Sequence, residues 1–368
     1  MRPITIAILS ALVAVLSAPG ARGVEAPGYL YVGAWPNKIV VIDEATYKVQ
    51  SEIPIESGIP EYILASYDRR RLVAITGQRV LEVVDLVNRK VAGRLQLCEP
   101  NQTQLVISSA IDPRGRFLYL TLKTATKEVD RYSIQKARFH IIDLDLLKIV
   151  KTFDFPKDFD QGFGFEDAAY RVSADGRFLY VLKDDVLVFD LNTFQQVDKI
   201  ELSKPSHPGA SAISFAGETD PKENPDFITS VFTSTDLQAR RSISGIARVN
   251  LLSKKVDLIP LAVSLSIRGR LYVSPDGKKA FVVTVTSPMD PNRRCEFWVF
   301  DLQSRKLIKK AEFENRARFT FAASSDAKKL YIYGPGPIID IYDAETLTLD
   351  RTITVDGDIT EMAIVPSR

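Results

Sequence analysis

Residues 168–202 read AAYRVSADGRFLYVLKDDVLVFDLNTFQQVDKIEL. Four strand-like segments, the first three apolar, follow one another with turn signals between them. Ala168 to Val172 runs into Ser173-Ala174-Asp175-Gly176-Arg177. Phe178 to Leu182, Val186 to Asp190 and Gln196 to Leu202 come next. The segments are short and rich in Val, Ile, Phe and Tyr, which predicts β-strands. The Asp175-Gly176 step predicts a hairpin turn, because glycine accepts the positive φ that such turns need.

The unit recurs along the chain. Its third strand ends in an anchor residue: Asp43, Asp85, Asp143, Asp190, Asn250, Asp301 and Asp343, spaced by 42, 58, 47, 60, 51 and 42 residues. A four-stranded propeller blade takes roughly 40 to 50 residues, and longer spacings imply insertions. The sequence therefore predicts an all-β fold, a seven-bladed β-propeller, with residues 27–368 as one domain. Length alone suggests two domains, but closed β architectures run this long as one. The ends carry a further signal. Tyr29 to Gly33 is a second strand with no first strand before it, and Ile359 to Val365 is a first strand with no second after it. Pairing them in one blade closes the ring and leaves no open sheet edge at a seam.

Residues 1–26 stand apart. Met1-Arg2-Pro3 is a basic start, Ile4 to Leu16 is an apolar run, and small residues follow through Ala26. That order is a secretory signal peptide, and the run is short of the roughly 20 residues of a membrane span. Cleavage after Ala18, Ala21 or Ala26 suits the small-residue pattern. The expected location is secreted or periplasmic, with no membrane attachment after cleavage.

The composition narrows the chemistry. With 48 Lys+Arg against 46 Asp+Glu the net charge is +2, which argues against nucleic-acid binding through bulk positive charge. Only two histidines occur, His140 and His207, so a three-histidine zinc site cannot be built within the chain. Cys98 and Cys295 fall on well-separated blades, which predicts no bridge between them, since a disulfide needs Cα atoms within about 7 Å. There is no Cys-x-x-Cys-His haem attachment motif.

The segments Leu30-Tyr31-Val32-Gly33, Ile39 to Asp43 and Val49 to Ile55 resemble the YVTN-type propeller repeat. The stretch Phe300-Asp301-Leu302-Gln303-Ser304-Arg305-Lys306-Leu307-Ile308-Lys309-Lys310-Ala311 is similar to the sixth blade of the β subunit of quinohemoprotein amine dehydrogenases. So is the order of insertions, one ending at Lys136-Ala137-Arg138 and another around Asp220-Pro221-Lys222. The resemblance implies a periplasmic propeller without its own redox cofactor, with haem and quinone on partners: a dihaem subunit and a small quinone-bearing subunit. The methylamine dehydrogenase heavy subunit is a more distant likeness. No catalytic residue carries over.

Loops sort by face. Those joining strands one to two and three to four are mostly minimal, and those on the opposite side are long. Extra loop length costs chain entropy, so its clustering suggests use. One insertion, Gly217 to Pro225, falls on the plain side instead. On the elaborated side Asp158, Asp160, Glu166 and Asp167 alternate with aromatics such as Phe163, a set suited to a cationic amine or a partner surface. His207 is the one histidine there, with charge switching near neutral pH. Arg131 with Tyr132, Arg240 with Arg241, and Arg293 with Arg294 form basic spots. Trp35 is a candidate interface anchor. These are the expected ligand or partner residues, with no metal and no assignable catalytic set. The expected role is a cofactor-less structural or binding subunit, taking an amine or peptide ligand. The alternatives are a stand-alone enzyme with lactonase- or lyase-like activity, and a recognition module.

Overall fold

The computed structural model describes residues 27–367 except 78, 156–167, 183–184, 203–210, 212, 216–219, 221, 237, 239, 264–266, 287–292 and 317. The described residues form strands and turns arranged as seven antiparallel sheets, with no helix. Each sheet is one blade of a ring. Strand Ile359–Val365 pairs with Tyr29–Ala34, which pairs with Lys38–Asp43 and then Val49–Pro54, so the first and last described strands share blade 1. Blade 3 has a fifth strand, Tyr132–Ile134, paired to the extended second strand Phe117–Lys127. The predicted insertion there is thus a continuation of the sheet beyond the ring.

Burial explains the continuous apolar runs. Along Tyr29–Ala34, Leu30 and Val32 pack in the cluster shared with blade 7, while Tyr31 packs in the cluster shared with blade 2. Both faces of an inner strand meet a neighbouring blade, so polar alternation disappears. The fourth strands form the outer rim, and Lys148–Asp154 is mostly exposed. The first strands form the inner wall: Ile359–Val365 packs on Pro60–Ala65, which packs on Gln102–Ile111, which packs on Ala169–Val172.

The anchor residues have a common task. Asp43 Oδ1 accepts from the backbone N–H of Ala45 and Thr46 at 3.0 and 2.8 Å. Asp85, Asp143, Asp190, Asn250 and Asp343 each accept the equivalent pair of bonds, and Asp301 accepts from Ser304. A short acceptor side chain that reaches its own backbone two and three residues on is what fixes such a turn. Just before each anchor the third-to-fourth strand register slips by a bulge, as at Val41/Ile42 and Ile341/Tyr342. Blade 5 differs, with its slip at Ser244/Gly245, where a Cβ on Gly245 would lie 2.4 Å from the Ile259 carbonyl oxygen.

Four residues after every anchor the backbone turns left-handed without a glycine: Tyr47, Arg89, Leu147, Phe194, Lys254, Arg305 and Leu347 have φ between 50° and 61°. Such a conformation costs an L-residue about 1–2 kcal/mol. Each side chain meets the preceding blade. Tyr47 shares a hydrogen bond with Tyr331 of blade 7. The Arg89 guanidinium lies 4.4 Å from the Tyr29 ring centroid, and Leu147 covers Gly93. Phe194 stacks on Phe139 at 4.3 Å, Lys254 pairs with Asp198, and Arg305 reaches Asp257 at 2.7 Å. Leu347 joins the cluster that holds Phe297 and Phe313 of blade 6.

Candidate functional site

A cavity of about 280 Å³ opens in the channel on the side of the first-to-second turns. Four inner strands build its wall, contributing Met362–Val365, Tyr62–Ala65, Ile107–Ile111 and Ala168–Val172 from blades 1 to 4. Tyr272 of blade 6 completes the wall, and Lys222 and Pro225 of the blade 5 insertion reach it from above. The wall is mainly apolar because the same strands are buried against neighbouring blades. At its polar edge, Tyr170 Oη and Thr121 Oγ1 lie 2.6 Å apart, and Ser108 Oγ donates to the Ala168 carbonyl.

The insertion is held down by charge. Arg171, 9% exposed, donates to the carbonyl oxygens of Asp220 at 3.0 Å and Glu223 at 3.3 Å. Its guanidinium also lies 3.6 Å from the Glu223 carboxylate. Glu223 accepts from Thr229 N–H at 2.9 Å and from the Thr229 hydroxyl. Burial pushes the Glu223 carboxyl above its usual range, with Arg171 and the Thr229 bonds opposing that shift. On the other flank, Lys222 Nζ donates to the Ala323 carbonyl oxygen of blade 7 at 2.7 Å and stands 5.3 Å from the Tyr272 ring centroid. One short segment of blade 5 is therefore tied to blades 4 and 7 across the channel mouth.

The residues singled out in the sequence lie elsewhere. Trp35, Arg131, Tyr132, Arg240, Arg241, Arg293 and Arg294 sit on the second-to-third-strand side, spread over blades 1, 3, 5 and 6. None lines the cavity. Trp35 is 56% exposed and Tyr132 63%. Arg131 pairs with Glu128 at 2.6 Å, Arg293 donates to Asn315 at 2.7 Å, and Arg294 pairs with Glu312 at 2.9 Å. Asp158, Asp160, Phe163, Glu166, Asp167 and His207 lie outside the described residues. His140 sits in strand Arg138–Asp143 with its Nδ1 3.0 Å from Thr152 Oγ1, and burial lowers its pKa to about 4. Both cysteines are free thiols. Among the described residues no three His, Cys, Asp or Glu side chains gather as a metal-ligand set.

Sequence reading missed Arg171, Lys222 and Glu223. The available signal was the charged Gly217 to Pro225 insertion, which stood alone on the plain side. A second hollow, about 430 Å³, lies between blades 3 and 4. Its Arg116 is engaged with Asp143 at 3.1 Å and its Lys151 with the Asn192 carbonyl at 3.2 Å.

No family model matches the chain, and no curated protein matches it significantly. Solved structures are similar in fold. Apo AztD from Citrobacter koseri is 13% identical with a TM-score of 0.52, over 91% of this chain and 96% of that one. The dihydro-heme d1 dehydrogenase NirN, in complex with DHE, is 14% identical with a TM-score of 0.50, over 95% of this chain and 78% of that one. Hydrazine synthase of Kuenenia stuttgartiensis is 17% identical with a TM-score of 0.49, over 82% and 88% of the two chains. For AztD and NirN the likeness is one of fold alone.

Proposed function

We propose that this protein is a binding propeller that holds a small apolar ligand in its channel. The observation that carries the reading is the cavity of about 280 Å³, walled by four apolar inner strands and bridged by a charged insertion. Its size is at the small end of ligand pockets, and an apolar wall with a few polar groups is their usual make-up. A propeller fold by itself selects no activity, so the cavity has to carry the argument. The test uses 2-naphthamide, a neutral apolar probe, with binding measured by calorimetry. Ile107 lines the cavity and is 8% exposed, so Ile107→Trp fills the space. Binding by the native chain and its loss in Ile107→Trp are expected. No binding, or binding that survives the substitution, removes the reading.

A second reading concerns the opposite side. Leu105, Val129, Tyr132 and Ile134 on the extended sheet of blade 3 are exposed, as is Trp35 of blade 1. Monomeric proteins rarely leave large apolar patches uncovered. Together with the resemblance to the amine dehydrogenase β subunit and the YVTN repeat, this favours a secreted or periplasmic subunit that docks a dihaem chain there and binds no cofactor itself. Purification from the native host tests it: co-elution with a haem-containing chain is expected, and elution of this chain alone removes it.

A further inference from the structure

We infer that two copies of this chain pair edge to edge through blade 3, strand Tyr132–Ile134 of one lying antiparallel to the same strand of the other about a twofold axis at Ser133. The inference does not depend on the channel, and it seats a second copy where the second reading seats a haem chain. Tyr132–Ile134 is the last strand of its sheet, paired to Phe117–Lys127 on one side and to no strand on the other among the described residues. The hairpin fixes which groups face out. Glu128 N–H donates to the Arg131 carbonyl at 2.8 Å, and Gln135 N–H to the Thr124 carbonyl at 2.8 Å. Hydrogen-bonded pairs alternate along an antiparallel ladder, so Ser133 with Thr126 is the bonded pair between those two. Tyr132 and Ile134 therefore turn their N–H and C=O groups outward, away from Phe117–Lys127.

The outer edges of the blades are otherwise protected. Every fourth strand carries charge, such as Lys148 and Lys151 in blade 3 or Lys306, Lys309 and Lys310 in blade 6. Charged side chains on an edge discourage pairing with another chain. Tyr132–Ile134 holds no charge and no proline. Its two apolar side chains share an exposed face with Leu105, since Ile134 stands opposite Ala125 and Leu105 opposite Lys123. A second copy suits this edge because the sequence around Ser133 is complementary to itself. With Ser133 on the twofold, Tyr132 of each copy is the bonded partner of Ile134 of the other, so the exchange of backbone bonds occurs twice. An aromatic side chain then faces a β-branched one, a favourable cross-strand pair. The same register sets Asp130 opposite Lys136 of the other copy, both of them exposed. A slip to the next bonded pairing in either direction instead sets Asp130 against Ile134, or Tyr132 against Lys136. The interface is small, so the dimer is a weak one governed by concentration.

Sedimentation equilibrium of the purified chain over a rising concentration series is the test, and a monomer–dimer equilibrium is expected. Ile134→Pro removes an outward N–H that the hairpin does not use, a change that an edge strand tolerates. It should leave the melting temperature native and weaken dimerisation at least about tenfold, because two ladder bonds are lost. Lys136→Glu should weaken it severalfold, and adding Asp130→Lys should restore it. Ser133→Cys in a Cys98→Ser background should form an intermolecular disulfide under mild oxidation, since a non-bonded pair on the twofold brings its Cα atoms to about 4.5 Å. A chain that stays monomeric at every concentration, a dimer that Ile134→Pro or Lys136→Glu leaves intact, or no crosslink overturns the inference, and leaves the channel reading untouched.

Discussion

Arg171→Met is the perturbation with the most to say about how the cavity is bridged. In the folded protein the guanidinium meets two backbone carbonyls and the Glu223 carboxylate, all at about nine-tenths burial or more. Removing it leaves the carboxylate buried among Thr229 donors only. Breaking a buried pair from one side costs about 3–5 kcal/mol. The charge part has a ceiling, because the orphaned carboxyl can take up a proton. Its ordinary value is 4.5, so protonation at pH 7 costs about 3 kcal/mol, at roughly 1.4 kcal/mol per unit. At pH 5 the same ceiling is below about 1 kcal/mol. The sign follows: with Glu223 protonated in the folded variant and ionised in the unfolded chain, stability falls as pH rises above the ordinary value. The Glu223 pKa is already raised in the native protein and Arg171 opposes that rise, so losing Arg171 steepens the same dependence, and Arg171→Met should be more destabilised at pH 7 than at pH 5. Loss of the two carbonyl bonds adds a pH-independent part of about 1–2 kcal/mol. Adding Glu223→Gln, which keeps an acceptor for Thr229, should remove the pH-dependent part. Urea unfolding at both pH values reads the global effect. Hydrogen exchange of the Thr229 amide, which donates to Glu223, reads it locally if the insertion opens before the ring. The same cost at both pH values, or no rescue by the second substitution, would show that charge does not hold the insertion.

Three further outcomes follow from the ring. A chain ending at residue 357 lacks strand Ile359–Val365; its buried Ile359, Met362, Ile364 and Val365 are worth about 8 kcal/mol, comparable to a whole domain's stability. Calorimetry should show no cooperative melting, and a sharp melt would argue against closure by the two ends. His140 stays neutral when folded down to about pH 4, so the unfolded chain binds the extra proton between pH 6.5 and 4. Stability should fall through that window by up to about 3 kcal/mol, and His140→Gln should flatten the fall in denaturant titrations. Asp343→Ala removes the acceptor of the Glu345, Thr346 and Thr346 hydroxyl bonds, with an expected loss of about 1–2 kcal/mol in urea unfolding. An unchanged midpoint would mean the turn holds without its anchor.

The blade repeat was legible because each blade rewrites the same local chemistry. An apolar run, an Asp-Gly or Asp-x-x turn and a polar fourth strand are all short-range signals. The bulges were not legible, since a slipped register leaves the alternation of an exposed fourth strand such as Lys148–Asp154 unchanged. Nor were the left-handed residues, because Tyr, Leu and Phe are poor indicators of positive φ. The cavity was hidden for a different reason. Arg171, Lys222 and Tyr272 are far apart in sequence, and only ring closure brings them to one space. Loop length pointed to the opposite side, where the long segment of blade 3 extends the sheet and leaves Leu105 and Ile134 exposed. The plain-side insertion mattered through two salt-and-carbonyl contacts that no local pattern announces.

The left-handed residues give the molecule a direction. Every blade reaches back to the one before it, and Tyr47 extends the series from the first blade to the last. Covalent continuity between blades is then dispensable, since each junction is also clasped by a side chain. The Ser367 hydroxyl donates to the Pro27 carbonyl, so the first and last described residues lie side by side. A chain joined there and cut in any blade-to-blade linker keeps all seven clasps, and the same ring can be read out from seven different starting points. A cut within a third-to-fourth turn destroys one clasp and the mating surface of two blades with it. The fold is indifferent to where its sequence starts and strict about the order in which its parts follow.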